Sequence, residues 1–209
     1  MGKKIEAREN IHLYPESIFI DGSPWKGRWH EAFGRKAPLH LDIGMGFGRF
    51  LVQLAFEKPE ENFLGIERHP HRVLDAFQAA QLKGIDNVRF LCGEVALHLS
   101  DAFDEGEIDN ISLLFPDPWP EGKKIKHRLT FPPLVERYHH LLKPGGSVTF
   151  RSDHPRMAEY SQNVFLRQGF EISKISEEGF AQRIHTDFEL RYLAEGKTIH
   201  AFDARKEKD

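Results

Sequence analysis

Five carboxylates follow or close apolar runs along this chain: Asp42, Glu67, Glu94, Asp117 and Asp153. Asp42 stands just before a glycine-rich turn, and Glu67 ends the run Asn62-Phe63-Leu64-Gly65-Ile66-Glu67. Glu94, in Cys92-Gly93-Glu94, follows Val88-Arg89-Phe90-Leu91. Asp117 follows Ile111 to Phe115, and Asp153, in Arg151-Ser152-Asp153, follows Ser147 to Arg151. Taken singly, each reads as a solvated loop acid. If the runs are strands of one parallel sheet, however, all five point to one rim, at the carboxyl ends where open α/β sheets bind ligands. Gathered carboxylates repel and raise one another's pKa values. The ligand that relieves them is a cation carrying hydroxyl groups for them to accept.

Asp117 sits in the most specific stretch, Phe115-Pro116-Asp117-Pro118-Trp119-Pro120. Each proline fixes its own φ, lacks a donor N–H, and biases the residue before it towards extended backbone. A strand that ends this way has a stiff mouth, with Asp117 and the Trp119 indole held in set directions. The glycine turn, Gly44-Met45-Gly46-Phe47-Gly48, lets backbone approach a ligand closely. Its spacing is G-x-G-x-G, not the G-x-G-x-x-G of dinucleotide sites. A pyrophosphate would worsen the repulsion among the acids. S-adenosylmethionine, with a ribose, a sulfonium cation and no phosphate, fits better.

The elements that must position these residues alternate strand and helix. Strands are predicted at 39–43, 62–67, 88–91, 111–115, 147–151, 170–175 and 197–204. Helices are predicted at 49–57, 71–83, 131–142 and 155–168, with Lys143-Pro144-Gly145-Gly146 stopping the third sharply. Alternation of this kind implies an α/β fold, a mostly parallel sheet with helices on both faces. Residues 1–38 read as an irregular extension packing on one domain at 39–209.

With 209 residues and 40% hydrophobic content, the chain suffices for one sizeable core. A lone cysteine, Cys92, excludes an internal disulfide and suits a reducing compartment. No run has the length of a membrane span and the first residues lack a signal-peptide core, so a cytoplasmic protein is expected. The net charge of −3 counts mildly against nucleic acid, although 26–36 and 123–128 are locally basic. His69-x-His71 and His139-His140 are spaced too closely along helices to converge on one ion, so no metal is expected.

These residues resemble the tRNA (guanine-N7-)-methyltransferase family. The resemblance rests on Leu41-Asp42-Ile43-Gly44-x-Gly46-x-Gly48, Phe63 to Glu67, Phe115 to Pro120, Lys126-His127-Arg128-Leu129-Thr130, Leu142 to Gly146, Ser152-Asp153 and Thr186-Asp187-Phe188-Glu189-Leu190-Arg191, in family order. It implies a Rossmann-like seven-stranded methyltransferase sheet with one antiparallel strand. It implies S-adenosylmethionine held by Asp42, Gly44, Gly46, Gly48, Glu67, Glu94 and Asp117, with Asp117 catalytic. It implies tRNA contacts from Asp153 and from Thr186, Asp187, Phe188 and Glu189, supported by Arg191. Lys123, Lys126 and Arg128 supply the nearby basic charge, and a monomer or homodimer is expected.

Two residues depart from the family. Glu121 stands where a lysine is usual, and Asp187 replaces the basic residue within Thr-x-Phe-Glu. At about 1 kcal/mol or more for each lost charge-assisted contact, RNA affinity would fall. A related methyltransferase with a changed acceptor is therefore the main alternative. A non-enzymatic protein on a relic fold and a nicotinamide oxidoreductase follow at a distance.

Overall fold

The computed structural model describes residues 10–120, 122, 124–174 and 184–208. The chain divides into two compact units, 1–107 and 108–209.

In the first unit, β1 (Ile18–Phe19), β2 (Leu39–Ile43), β3 (Asn62–Glu67) and β4 (Val88–Cys92) lie in the order β1-β4-β3-β2, and every pair is parallel. Every residue of β3 is buried, as a central strand covered on both faces requires. Helices α1 (Trp29–Ala32), α2 (Arg49–Glu57), α3 (Pro70–Leu82) and α4 (Val95–Asp101) complete the unit. Leu51, Val52 and Ala55 of α2 and Val73, Ala76, Phe77 and Ala80 of α3 join Phe63 and Phe90 in one core cluster. These positions recur at helical spacing, which is why the sequence revealed both helices.

Residues 10–38 are less irregular than expected. They supply β1, which pairs with β4, and the buried Trp29, 1% exposed. The Trp29 ring lies 5.6 Å from those of Phe19 and Phe103, and its indole N–H donates to the Ala102 carbonyl at 2.8 Å. Arg35, from the basic stretch, donates to the Asn62 side chain at 2.7 Å and to the Glu61 carbonyl at 2.6 Å, so it ties the extension to β3.

In the second unit, β5 (Ile108–Leu114), β6 (Leu142–Ser152), β7 (Glu171–Lys174) and β8 (His200–Arg205) lie in the order β5-β6-β8-β7. β5 and β6 are parallel, and β8 runs antiparallel to both of its neighbours. The helices are α5 (Pro132–Leu141), α6 (Pro155–Arg167) and α7 (Asp187–Ala194). Eight strands are described, not seven, because β1 adds one from the extension.

Lys143-Pro144-Gly145-Gly146 does not separate α5 from its strand. It lies inside β6 as an irregular opening, where pairing jumps from Ile108 opposite Leu142 to Asn110 opposite Ser147. Extra residues bulged out of a ladder relieve the missing proline donor. The Gly145 N–H bonds outward to the Lys206 and Glu207 carbonyls. The predicted strand at 170–175 corresponds to β7, with Ile175 outside the described residues.

Candidate active site

In the first unit, the turn after β2 is shaped by its glycines. Gly48 has φ +66°, and a Cβ there would come within 2.5 Å of the Ala76 Cβ, so α3 packs directly against the turn. Gly46, at φ +60°, has nothing within 4 Å of where its Cβ would stand. The Gly44 and Met45 N–H groups both donate to the Ile66 carbonyl of β3, at 2.9 and 3.1 Å. The turn is therefore pinned to β3 at Gly44 and Met45 and leaves open space beside Gly46.

Asp42 is buried within β2, and Glu67 closes β3 at 4% exposure. Glu67 accepts the Gly46 N–H at 3.2 Å on one oxygen, and the His69 N–H and Nδ1 at 2.9 and 2.6 Å on the other. Glu94 is exposed, two residues beyond β4, at the N-cap of α4, where its side chain caps no backbone N–H. Helix α4 had no sequence signature. Seven residues make barely two turns, and Leu97 on it is exposed, so no apolar stripe develops. On α4, His98 is buried with Nε2 unpartnered, and burial pushes its imidazole below the usual value.

In the second unit, β5 ends at Leu114, and Phe115 turns the chain at φ +52°. No other non-glycine residue among those described has positive φ. Such backbone is held only where the surroundings enforce it. Here the Phe115 N–H donates to the Arg151 carbonyl at 2.8 Å, and its ring lies 5.7 Å from that of Tyr192. Asp117, two residues on, is exposed. The Trp119 N–H donates to the Asp117 carbonyl at 2.9 Å, which closes the mouth of the strand.

Arg128, expected among the tRNA contacts, is 5% exposed. Its Nε donates to the Trp119 carbonyl at 2.6 Å, and its guanidinium lies 4.5 Å from the Tyr160 ring centre. It braces the Pro-Asp-Pro-Trp loop from beneath instead of reaching into solvent. Lys126 is exposed, and Lys124 lies 5.8 Å from the Trp119 ring centre. Lys123 and Glu121 fall outside the described residues.

Asp153 follows β6 and faces Lys197, whose Nζ is 3.5 Å away. Hydrogen bonding to Glu195, with Asp153 adding to it, raises the Lys197 ammonium above its ordinary pKa. Thr186 to Arg191 forms the start of α7. Thr186 caps the helix by accepting the Glu189 N–H at 3.1 Å, while Glu189 accepts the Thr186 N–H at 3.4 Å. Glu189 is fully buried, and Arg151 of β6, 5% exposed, donates to it at 2.9 Å and to the Ile184 carbonyl at the same distance. Glu189 and Thr186, expected as tRNA contacts, thus anchor α7 to β6 from inside. The spacing Thr-x-x-Glu is a capping-box signature, so the cap was readable in the sequence, whereas the contact with Arg151 was not. What α7 presents outward is Phe188, 50% exposed, with Asp187 exposed beside it. Arg191 lies 5.3 and 4.7 Å from the Phe188 and Tyr192 ring centres.

Strands delivering acids beside a glycine turn, in βαβ order, define a methyltransferase fold of the Rossmann-like class. Solved methyltransferases share it. The 16S rRNA methyltransferase KamB superposes with a TM-score of 0.62 over 87% of this chain and 93% of its own, at 14% identity. A phosphoethanolamine N-methyltransferase from Haemonchus contortus, in complex with S-adenosyl-L-methionine, superposes at 0.53 over 85% of this chain and 51% of its own, at 17% identity. Sequence similarity goes further. A family model described as "Putative methyltransferase" matches residues 36–202. Proteins named tRNA (guanine-N(7)-)-methyltransferase are 34% identical in Halalkalibacterium halodurans, over 95% of this chain and 92% of theirs, and 31% in Listeria monocytogenes, over 97% and 96%. The chain belongs to the tRNA (guanine-N(7)-)-methyltransferase family.

Proposed function

We propose that this chain transfers a methyl group from S-adenosylmethionine to N7 of a guanine in tRNA, the guanine lying in the variable loop. Family membership along nearly the whole chain carries this reading. The residues of the first unit suit the methyl donor. Gly46 leaves open space above the turn, Glu67 offers a buried carboxylate to a ribose, and exposed Glu94 offers one to the adenine amino group. Asp117 is counted among the donor-binding residues on the family resemblance alone. When bound, the donor supplies an electrophilic methyl on a sulfonium.

Guanine N7 carries a lone pair and no proton, so no general base is needed and catalysis rests on alignment and electrostatics. Asp117 and Asp153 accept hydrogen bonds from the guanine N1–H and amino group. They thereby orient N7 and offset the positive charge that grows on the ring. Asp153 exchanges Lys197 for the guanine, which leaves that ammonium for a neighbouring phosphate. Trp119, held against His127 at 5.4 Å between ring centres, stiffens the loop carrying Asp117. N7 in a regular RNA duplex lies in a deep groove closed to side chains, so a loop-borne guanine is the fitting target.

A changed acceptor is favoured by Asp187, an acid in place of the family's base. Its position supplies another reason for an acid there. Asp187 opens α7, where a negative charge is stabilised by the helix dipole. The test is incubation with labelled S-adenosylmethionine and unmodified tRNA, followed by nucleoside analysis. Labelled 7-methylguanosine is expected. Labelled donor bound with no label in tRNA would move the search to other acceptors.

A further inference from the structure

Glu67 holds its two oxygens unequally. Oε1 accepts two short hydrogen bonds from one residue, from the His69 N–H at 2.9 Å and from the His69 Nδ1 at 2.6 Å. Oε2 has longer contacts, with the Gly46 N–H at 3.2 Å and the Arg72 guanidinium at 3.5 Å. A carboxylate has about four acceptor positions, and donors this close to an ionised oxygen make its strong bonds. The short pair fixes the orientation of the carboxylate. The long pair leaves Oε2 as the oxygen that a new donor can claim.

His69 is suited to that task. It is the N-cap residue of α3, with φ −96° and ψ 108°, so its backbone N–H and its ring both turn back towards the end of β3. Its imidazole is part-exposed, outside the core cluster. The short contact assigns the Nδ1 proton to the Glu67 bond, an assignment made from the hydrogen-bond geometry. In the sequence, His69 stood out only as half of a His-x-His pair. The structure gives its Nδ1 a different use.

We infer that His69 is a positioning residue for cofactor recognition. Its Nδ1–H locks Oε1 of Glu67 so that Oε2 faces the turn and accepts a ribose hydroxyl of the methyl donor. The inference rests on the proposed assignment of Glu67 to the ribose. It concerns binding of the donor and leaves tRNA and the methyl-transfer step untouched.

The test is calorimetric binding of S-adenosylhomocysteine and of its 2′,3′-dideoxy analogue to the full chain and to three variants. His69→Ala removes the donor. His69→Asn restores an N–H near the place of Nδ1, and His69→Gln places one near Nε2 instead. For S-adenosylhomocysteine, His69→Ala and His69→Gln are expected to weaken binding about tenfold, the scale of one hydrogen bond to a charged group, and His69→Asn to recover most of it. For the dideoxy analogue all four proteins should bind alike. In turnover, the KM for S-adenosylmethionine should rise in His69→Ala while kcat and the KM for tRNA stay unchanged. Equal losses for both ligands, or undiminished binding of S-adenosylhomocysteine by His69→Ala, would overturn the role of His69. Failure of the unsubstituted chain to bind either ligand would overturn the proposed function itself. If His69→Ala unfolds, the contrast between the Asn and Gln variants decides the same question.

Discussion

Glu189 offers the sharpest choice between two roles, direct contact with tRNA and internal anchoring of α7. Its carboxylate is fully buried, with Arg151 at 5% exposure as its ionic partner and Thr186 in a reciprocal capping box. Glu189→Ala breaks the buried ion pair with Arg151, and removing one partner of such a pair typically costs about 3–5 kcal/mol. Loss of the cap adds about 1 kcal/mol. One carboxylate makes both interactions, so the terms overlap, and about 4 kcal/mol is expected. For a chain of 209 residues that is a fall in Tm of roughly 8–16 °C. Replacing both partners with apolar residues, Arg151→Met with Glu189→Leu, should recover most of the loss, because a buried pair is often worth no more than a hydrophobic one. Denaturant or thermal unfolding of Glu189→Ala and of the double variant checks this. A Glu189→Ala protein that melts like the unsubstituted chain yet loses tRNA binding would refute the anchoring role and return Glu189 to the RNA-contacting set.

Three other outcomes follow from the same geometry. Asp117 is exposed, so Asp117→Ala should keep the native Tm while kcat/KM falls at least about 100-fold, as loss of one oriented charge contact does; near-native turnover would remove Asp117 from the reaction. Lys126→Ala should lower the slope of log tRNA affinity against log salt by about 0.7–0.9, the release of one counterion, whereas Arg128→Met should leave that slope alone and lower the Tm, since Arg128 is buried beneath the loop. Burial depresses the His98 pKa in the folded state, so the stability it allows is fully present above its unfolded value of about 6.5 and is lost as pH falls through the folded value. His98→Gln should flatten the acid side of a Tm-against-pH curve, and an unchanged acid side would show that His98 does not drive it.

Much of this was legible in the sequence because each feature obeyed one local rule. β2, α2 and β3 lie where the apolar periods placed them, and Gly48 is needed for the close approach of α3. What escaped detection had local signals pointing elsewhere. Trp29 sits in a stretch without period, and only tertiary contacts with Phe19 and Phe103 show that it is core. Lys143-Pro144-Gly145-Gly146 reads as a break because proline and glycine usually end elements, yet the strand continues through it by bulging. At the proposed site, sequence order singled out the acids as candidates but said nothing of their surroundings. That Arg128 and Glu189 face inward depends on partners 9 and 38 residues away along the chain, Trp119 and Arg151, which no spacing rule reveals.

The most direct measurement is strand scission at methylated guanine. Guanosine methylated at N7 is cleaved by aniline after borohydride reduction, whereas unmodified guanosine is not. An unmodified tRNA transcript incubated with the chain and S-adenosylmethionine should cleave at a single guanine in the variable loop, and the same transcript treated with Asp117→Ala protein should stay intact. Cleavage at no guanine, with methyl label recovered at another atom or in another molecule, would contradict the proposed reaction.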